Sequence, residues 1–140
     1  MADVSQTAAN VKLKGTSFSD NTTRPRQAGE AITQGMPYYI STSDSKAYKA
    51  DANDTAAKAV AAGISLTPAS TDGFFIGCEG GPIDIGGTLV VGTQYVVSTT
   101  LGGIAPITDL TTGHYVTTLG IATTSSTLNL NIDVSGVQKP

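Results

Sequence analysis

The sequence predicts an all-β protein, and three observations carry that expectation. Residues 29 to 64 are echoed by residues 86 to 121 at one ungapped offset of 57 positions. Thr and Gly dominate the second half, as strands and tight turns require. Apolar residues alternate with polar ones in short runs, most cleanly at Leu128-Asn129-Leu130-Asn131-Ile132. In the echo Gly29 answers Gly86, Ile32 answers Leu89, Gly35 answers Gly92 and Tyr38 answers Tyr95. Gly63-Ile64 answers Gly120-Ile121. Glycines mark special backbone positions and alternating apolar residues mark a strand face. Matches of both types at one offset predict a β unit used twice. The expected body is a compact β-barrel or sandwich over residues 29–135, with repeat units at 29–66 and 86–123. An extended N-terminal arm, residues 1–28, precedes it, and a frayed C-terminus, residues 136–140, follows.

The arm is polar, and Arg24-Pro25-Arg26 disfavours helix. Val11-Lys12-Leu13-Lys14 alternates and suits a short strand added to a sheet. The first unit reads as a strand at Pro37–Ile40, a turn at Ser43-Asp44-Ser45, and a strand at Lys46–Ala50. Ala56 to Leu66 has helical propensity, but its Ala59–Ile64 lies opposite Val116–Ile121 in the echo. The echo favours a strand from about Val60, with room for a helical turn near Asp54 to Lys58. Phe74-Phe75-Ile76 and Ile83-Asp84-Ile85 read as two short strands separated by a turn at Glu79-Gly80-Gly81-Pro82. Leu89-Val90-Val91, Tyr95-Val96-Val97 and Tyr115 to Ala122 are further expected strands.

Composition narrows the function. The chain has 140 residues, only 14% of them charged, and no Trp. Such a length allows one compact domain or two small β subdomains. Basic residues gather early, at Lys12, Lys14, Arg24 and Arg26, and none occurs between residues 59 and 138. A basic leader on an acidic body suits docking to an acidic surface. A pI of about 4.8 speaks against direct nucleic-acid binding. No stretch reaches the roughly 20 apolar residues of a membrane span. Met1 to Gln6 lacks the basic and apolar regions of a secretory signal. The single cysteine, Cys78, excludes an internal disulfide and a cysteine metal cluster.

Catalytic patterns are weak. His114 is the only histidine and has no partner in sequence. Pairing with Cys78 as a thiol nucleophile has no support in the spacing. Asp51-Ala52-Asn53-Asp54 lacks the frame of a calcium loop and reads better as an Asx turn. Gly80-Gly81 and Gly86-Gly87 lead into no phosphate-binding helix and read as strand bends. Tyr38, Tyr39, Tyr48, Tyr95 and Tyr115 are candidates for a sugar-binding surface, although strand tyrosines commonly pack half-buried. The equivalence of Tyr38 and Tyr95 favours core use for those two. The expectation is a non-enzyme with no cofactor and no metal.

Three runs then point to a family: Gly29-Glu30-Ala31-Ile32-Thr33-Gln34-Gly35-Met36-Pro37-Tyr38, Ala59-Val60-Ala61-Ala62-Gly63-Ile64, and Gly86-Gly87-Thr88-Leu89-Val90-Val91-Gly92. Together with Gly102-Gly103-Ile104-Ala105-Pro106, they resemble the small capsid decoration, or cement, proteins of tailed bacteriophages. The resemblance covers about residues 29 to 132 and lies in the β repeats and glycine turns. It implies a non-enzymatic, all-β virion protein made in the host cytoplasm. It further implies a homotrimer on the outer capsid surface that binds the major capsid protein and stabilises the head. An N-terminal arm reaching neighbours would carry attachment, with Val11, Lys12, Leu13, Lys14, Phe18, Arg24 and Arg26 as its contact residues. The alternative reading is a phage head- or tail-fibre module that adheres to host surface glycans.

Overall fold

The computed structural model describes residues 3–14 and 21–140. Phe18, expected as a contact residue, lies outside the described residues. The protein is all-β, with 48% of residues in strands and, among the described residues, no helix of seven residues or more. Ten strands follow in order: β1 (Val11–Leu13), β2 (Thr22–Gln27), β3 (Pro37–Ile40), β4 (Ala47–Lys49) and β5 (Ala61–Ser65). Then come β6 (Phe74–Ile85), β7 (Gln94–Val97), β8 (Ile104–Pro106), β9 (Tyr115–Ala122) and β10 (Thr127–Gln138). They pair in the order β4-β3-β5-β6-β10-β9-β7-β8, while β1 and β2 also pair with β6. The sheet curls into a half-barrel.

The two segments expected at 74–76 and 83–85 form one twelve-residue strand, and Glu79 to Pro82 lie within it rather than turning. The reason is a β-bulge. Thr22 pairs with Gly80 and Thr23 with Cys78, so Glu79 is the extra residue. A bulge bends a strand and shifts its side-chain alternation. Before it, Phe75 faces a smaller core with Ala28, Ile32, Tyr38 and Ala47. Cys78, on the opposite face, joins a larger core with Ile64, Val96, Leu119 and Leu128. Beyond the bulge, the odd-numbered Ile83 and Ile85 face that larger core as well. Gly81, at φ 94°, makes the bend without a side-chain penalty.

The leader folds against its own chain. Val4 N–H donates to the Ile104 carbonyl at the free side of β8 (2.8 Å), and Thr7 N–H donates to the Gly86 carbonyl (2.6 Å). β1 pairs with Ile83–Ile85, and β2 then runs antiparallel along Phe74–Gly80. Ala28 bridges Ala47 of β4, and Gly29 N–H donates to the Ala47 carbonyl. The described residues of 1–28 therefore line β6 and cover sheet edges. The alternation was informative: Val11, Lys12 and Leu13 oppose Ile85, Asp84 and Ile83, matching apolar with apolar and cation with anion. The polarity of β2 was misleading, because Pro25 and two arginines suit an edge strand that must not recruit another.

Other expectations need smaller corrections. The C-terminus does not fray at 136, because β10 reaches Gln138 and Lys139 exchanges backbone bonds with Gly113 and His114. Leu89 to Val91 form no strand; Leu89 is buried, while Val90 and Val91 are exposed. Ala57–Ala59 form a single 3-10 turn before β5, so the alanine run is not a helix.

At the offset of 57, ladder registers coincide. Tyr38 opposes Lys49 and Tyr95 opposes Pro106. Pro37 opposes Ile64 and Gln94 opposes Ile121. A register shift follows Tyr38 in one ladder and Tyr95 in the other. The coincidence ends after β5 and β9, which connect onward through loops of different length.

Removing residues 1–14 should destabilise the protein rather than leave an intact body, because it exposes the Ile83–Ile85 edge and deletes a core residue. Val11→Ala alone should cost about 1–2 kcal/mol through lost burial and a residual cavity. Urea denaturation of the two variants checks this. An unchanged midpoint in the truncated chain would mean that the body is stable without the segment.

Candidate functional site

The densest polar cluster sits where β2 meets the bulge of β6. Arg26 opposes Phe75 and Arg24 opposes Gly77, so both arginines share the face that carries Phe75. Tyr38 reaches the same place from β3. Its ring meets Phe75 edge-on, with centroids 5.0 Å apart and planes at 82°. It can lie there only because Gly63 and Gly77 carry no Cβ; one built at either position would collide with the Tyr38 hydroxyl. That hydroxyl donates to Glu79 Oε2 (2.7 Å). Arg26 Nε donates to Oε2 (2.9 Å) and Arg26 Nη2 to Oε1 (3.1 Å). Arg24 Nε stands 3.5 Å from Oε1.

Exposure separates the two arginines. The side chains of Glu79 and Arg26 are 13% and 27% exposed, whereas that of Arg24 is 63% exposed. A two-toothed guanidinium–carboxylate pair with a phenol donor is a well-satisfied, partly buried network. Arg24 is a surface cation at its rim, and its attraction to Glu79 is largely screened. Burial, then the Glu79 carboxylate, pushes the Tyr38 phenol well above its ordinary pKa. The phenol thus stays protonated, and its observed role is to hold β3 against the bulge.

The remaining residues singled out by sequence divide by placement. Val11 is in the larger core. Leu13 is 39% exposed. Lys12 is exposed opposite Asp84, and Lys14 Nζ lies 4.0 Å from Asp84 Oδ2. Arg26 is committed to Glu79. Of the described contact residues, Lys12, Leu13, Lys14 and Arg24 present the most surface to a partner.

Cys78 and His114 are held by separate neighbours. The buried Cys78 thiol donates to the Gly80 carbonyl, and burial pushes its pKa up. His114 Nδ1 accepts from Thr111 N–H (3.0 Å). Asp51 Oδ1 accepts from Asn53 N–H (2.9 Å), an Asx turn. Among the described residues no three His, Cys, Asp or Glu side chains gather to hold a metal. The Tyr38–Glu79–Arg26 network was not anticipated from the sequence. Its one available signal was an acid placed inside an otherwise apolar and glycine-rich run, residues 74–83.

Glu79→Gln should destabilise the protein by about 2 kcal/mol, since it weakens charge-assisted bonds in a partly buried site. Stability should also fall at alkaline pH. The folded phenol of Tyr38 titrates above the unfolded value of about 10, so above that pH the folded state holds more protons than the unfolded one and loses stability as pH rises. Urea midpoints measured from neutral pH into the alkaline range should decline, with a shallower decline in Tyr38→Phe. Some decline should persist there, because the pKa values of Tyr39, Tyr48 and Cys78 are raised too. Identical slopes in the two proteins would contradict the assignment.

No family model, no curated protein and no solved structure matches the chain, so its function is argued from these residues.

Proposed function

We propose that this chain is a structural protein of a tailed-phage virion that binds the outer surface of the capsid lattice and stabilises the head. The observation that carries the reading is the division of the basic residues on β1 and β2. Arg26 is committed to the fold, while Lys12, Lys14 and Arg24 remain at the surface of the all-β body. Those three cations and the partly exposed Leu13 are the proposed contact to the major capsid protein. The resemblance of residues 29 to 132 to decoration proteins supports the same reading. Attachment by a few exposed ion pairs is weak for one copy, and many copies on a symmetric lattice make it effective. A homotrimer would raise the effective concentration of the contacts further. Val90 and Val91, 63% and 62% exposed, offer apolar area for contact between subunits.

The direct test is sedimentation of the purified protein with capsid shells that lack it. Saturable co-sedimentation is expected. Lys12→Glu combined with Arg24→Glu should weaken it, and more at low salt than at high salt, because screening already removes the charge attraction at high salt. Both replacements set a carboxylate beside an acid, Asp84 for Lys12 and Glu79 for Arg24, so the urea midpoint of the double variant should fall modestly, and attachment is compared under conditions where both proteins are folded. Failure to co-sediment would remove the proposal. Attachment of the double variant as tight as the parent's at low salt would move the contact elsewhere on the body.

A further inference from the structure

Tyr39 and Tyr48 form a second feature, distinct from the Glu79 network. They oppose each other directly in the β3–β4 ladder. Their neighbours Tyr38 and Ala47 face the smaller core and are fully buried, so the alternation of each strand turns Tyr39 and Tyr48 outward. Neither belongs to a core cluster. The rings stack with centroids 5.8 Å apart and planes at 28°. At the offset of 57 the corresponding pair is Val96 and Ala105, which are small and fully covered by protein. The fold thus accommodates an aliphatic pair at this ladder position. In the first unit the position is aromatic and half-buried, on the outer face, instead.

The pair is held in place and rimmed by polar groups. The Tyr48 ring lies against Gly29, where any Cβ would collide with it. Its hydroxyl donates to Asp44 Oδ2 (2.6 Å). Asp44 Oδ1 accepts from Lys46 N–H (3.0 Å), and Glu30 Oε2 accepts from Lys49 N–H (3.0 Å). Lys58 pairs with Asp54. Lys58, Glu30, Asp54 and Asp44 all lie near enough to Tyr39 to bias its charge. A carboxylate oxygen that has accepted one bond retains a lone pair for another.

We propose that Tyr39 and Tyr48, rimmed by Glu30, Asp44 and Lys58, form a carbohydrate-binding platform that takes a pyranose. One face of a pyranose carries polarised C–H groups, which suit the negative face of an aromatic ring. Its rim of hydroxyls donates to carboxylates and accepts from an ammonium group. Two rings with a charged border match the size and polarity of a sugar. A docked strand or helix would instead need wider apolar surface. The platform is independent of the cations on β1 and β2, so a glycan function and capsid attachment stand or fall separately.

The test is saturation-transfer NMR on the full chain with the methyl pyranosides of glucose, galactose, mannose and N-acetylglucosamine, beside a tetra-arginine peptide as a cationic probe. Transfer to the C–H face of at least one sugar is expected. Tyr39→Ala should weaken that binding about tenfold, equivalent to about 1.4 kcal/mol. Tyr48→Phe keeps the ring and loses only the bond to Asp44, so transfer should persist. Circular dichroism should show both variants folded; if Tyr39→Ala unfolds, Tyr39→Leu replaces it with the same expected loss. No transfer from any sugar, or transfer unchanged without the Tyr39 ring, overturns the proposal. So does binding of tetra-arginine alone, which would make the surface a cation platform. Loss of capsid-shell attachment in Tyr39→Ala without sugar binding would make it a capsid contact and overturn it equally.

Discussion

The fold depends on β6 changing its alternation at Glu79. A regular twelve-residue strand would present one set of side chains to each face from end to end. This strand must serve two cores, with Phe75 facing the smaller one and Cys78, Ile83 and Ile85 facing the larger. Even and odd positions can share the larger core only if one residue is left out of register between them. The extra residue at the bulge meets that need. It also leaves Glu79 on the face of Phe75 and Gly77, beside Tyr38 and Arg26, so the residue at the bulge is a carboxylate among side chains of that face.

That placement explains the network around it. A carboxylate 13% exposed inside a sheet needs compensation, and here it has a guanidinium fork and a phenol. Each partner comes from a different strand, so the charge that the bulge exposes ties β2 and β3 to β6. Tyr38 must pass over β5 and lie against β6 to reach Glu79, which accounts for glycine at both 63 and 77. Tyr95, its counterpart at the offset of 57, has no such destination. Its hydroxyl instead accepts from Val90 N–H (2.9 Å) and holds a turn. The same residue at the same register position therefore does different work in the two halves, and the difference traces to β6 having only one bulge of this kind.

Much of the β architecture was legible because it is written in local pattern. Alternation marked β1 and β10, short apolar runs and the 57-residue echo marked β7 and β9, and the echo argued against reading the alanine run before β5 as a helix. Three things were less legible. The continuity of β6 was hidden because Gly80-Gly81-Pro82 is chemically a turn; only pairing on both sides of the strand keeps it extended, and pairing is non-local. The roles of Arg24 and Arg26 were indistinguishable in sequence, since the two residues flank one proline. They separate through cross-strand register, which gives Arg26 both oxygens of Glu79 and leaves Arg24 at the rim. The outward aromatic pair was hidden among five tyrosines, and only the ladder tells which two share the outer face.

The N-terminal segment shows why polarity alone is a poor guide to whether a chain segment folds. Taken alone, β2 has little apolar surface to bury and would not order. On β6 it completes a ladder whose backbone groups would otherwise lose their partners, and it brings Arg26 to a carboxylate that needs one. Its stability therefore comes from satisfying groups on another strand rather than from burying its own. This constrains how any partner can use the segment. Pulling β2 away would strip Glu79 of its cation as well as opening the sheet, so a partner gains most by binding the segment where it lies. The side chains that allow this are the ones the fold leaves at the surface, Lys12 and Arg24, and attachment through them would leave β6 fully paired.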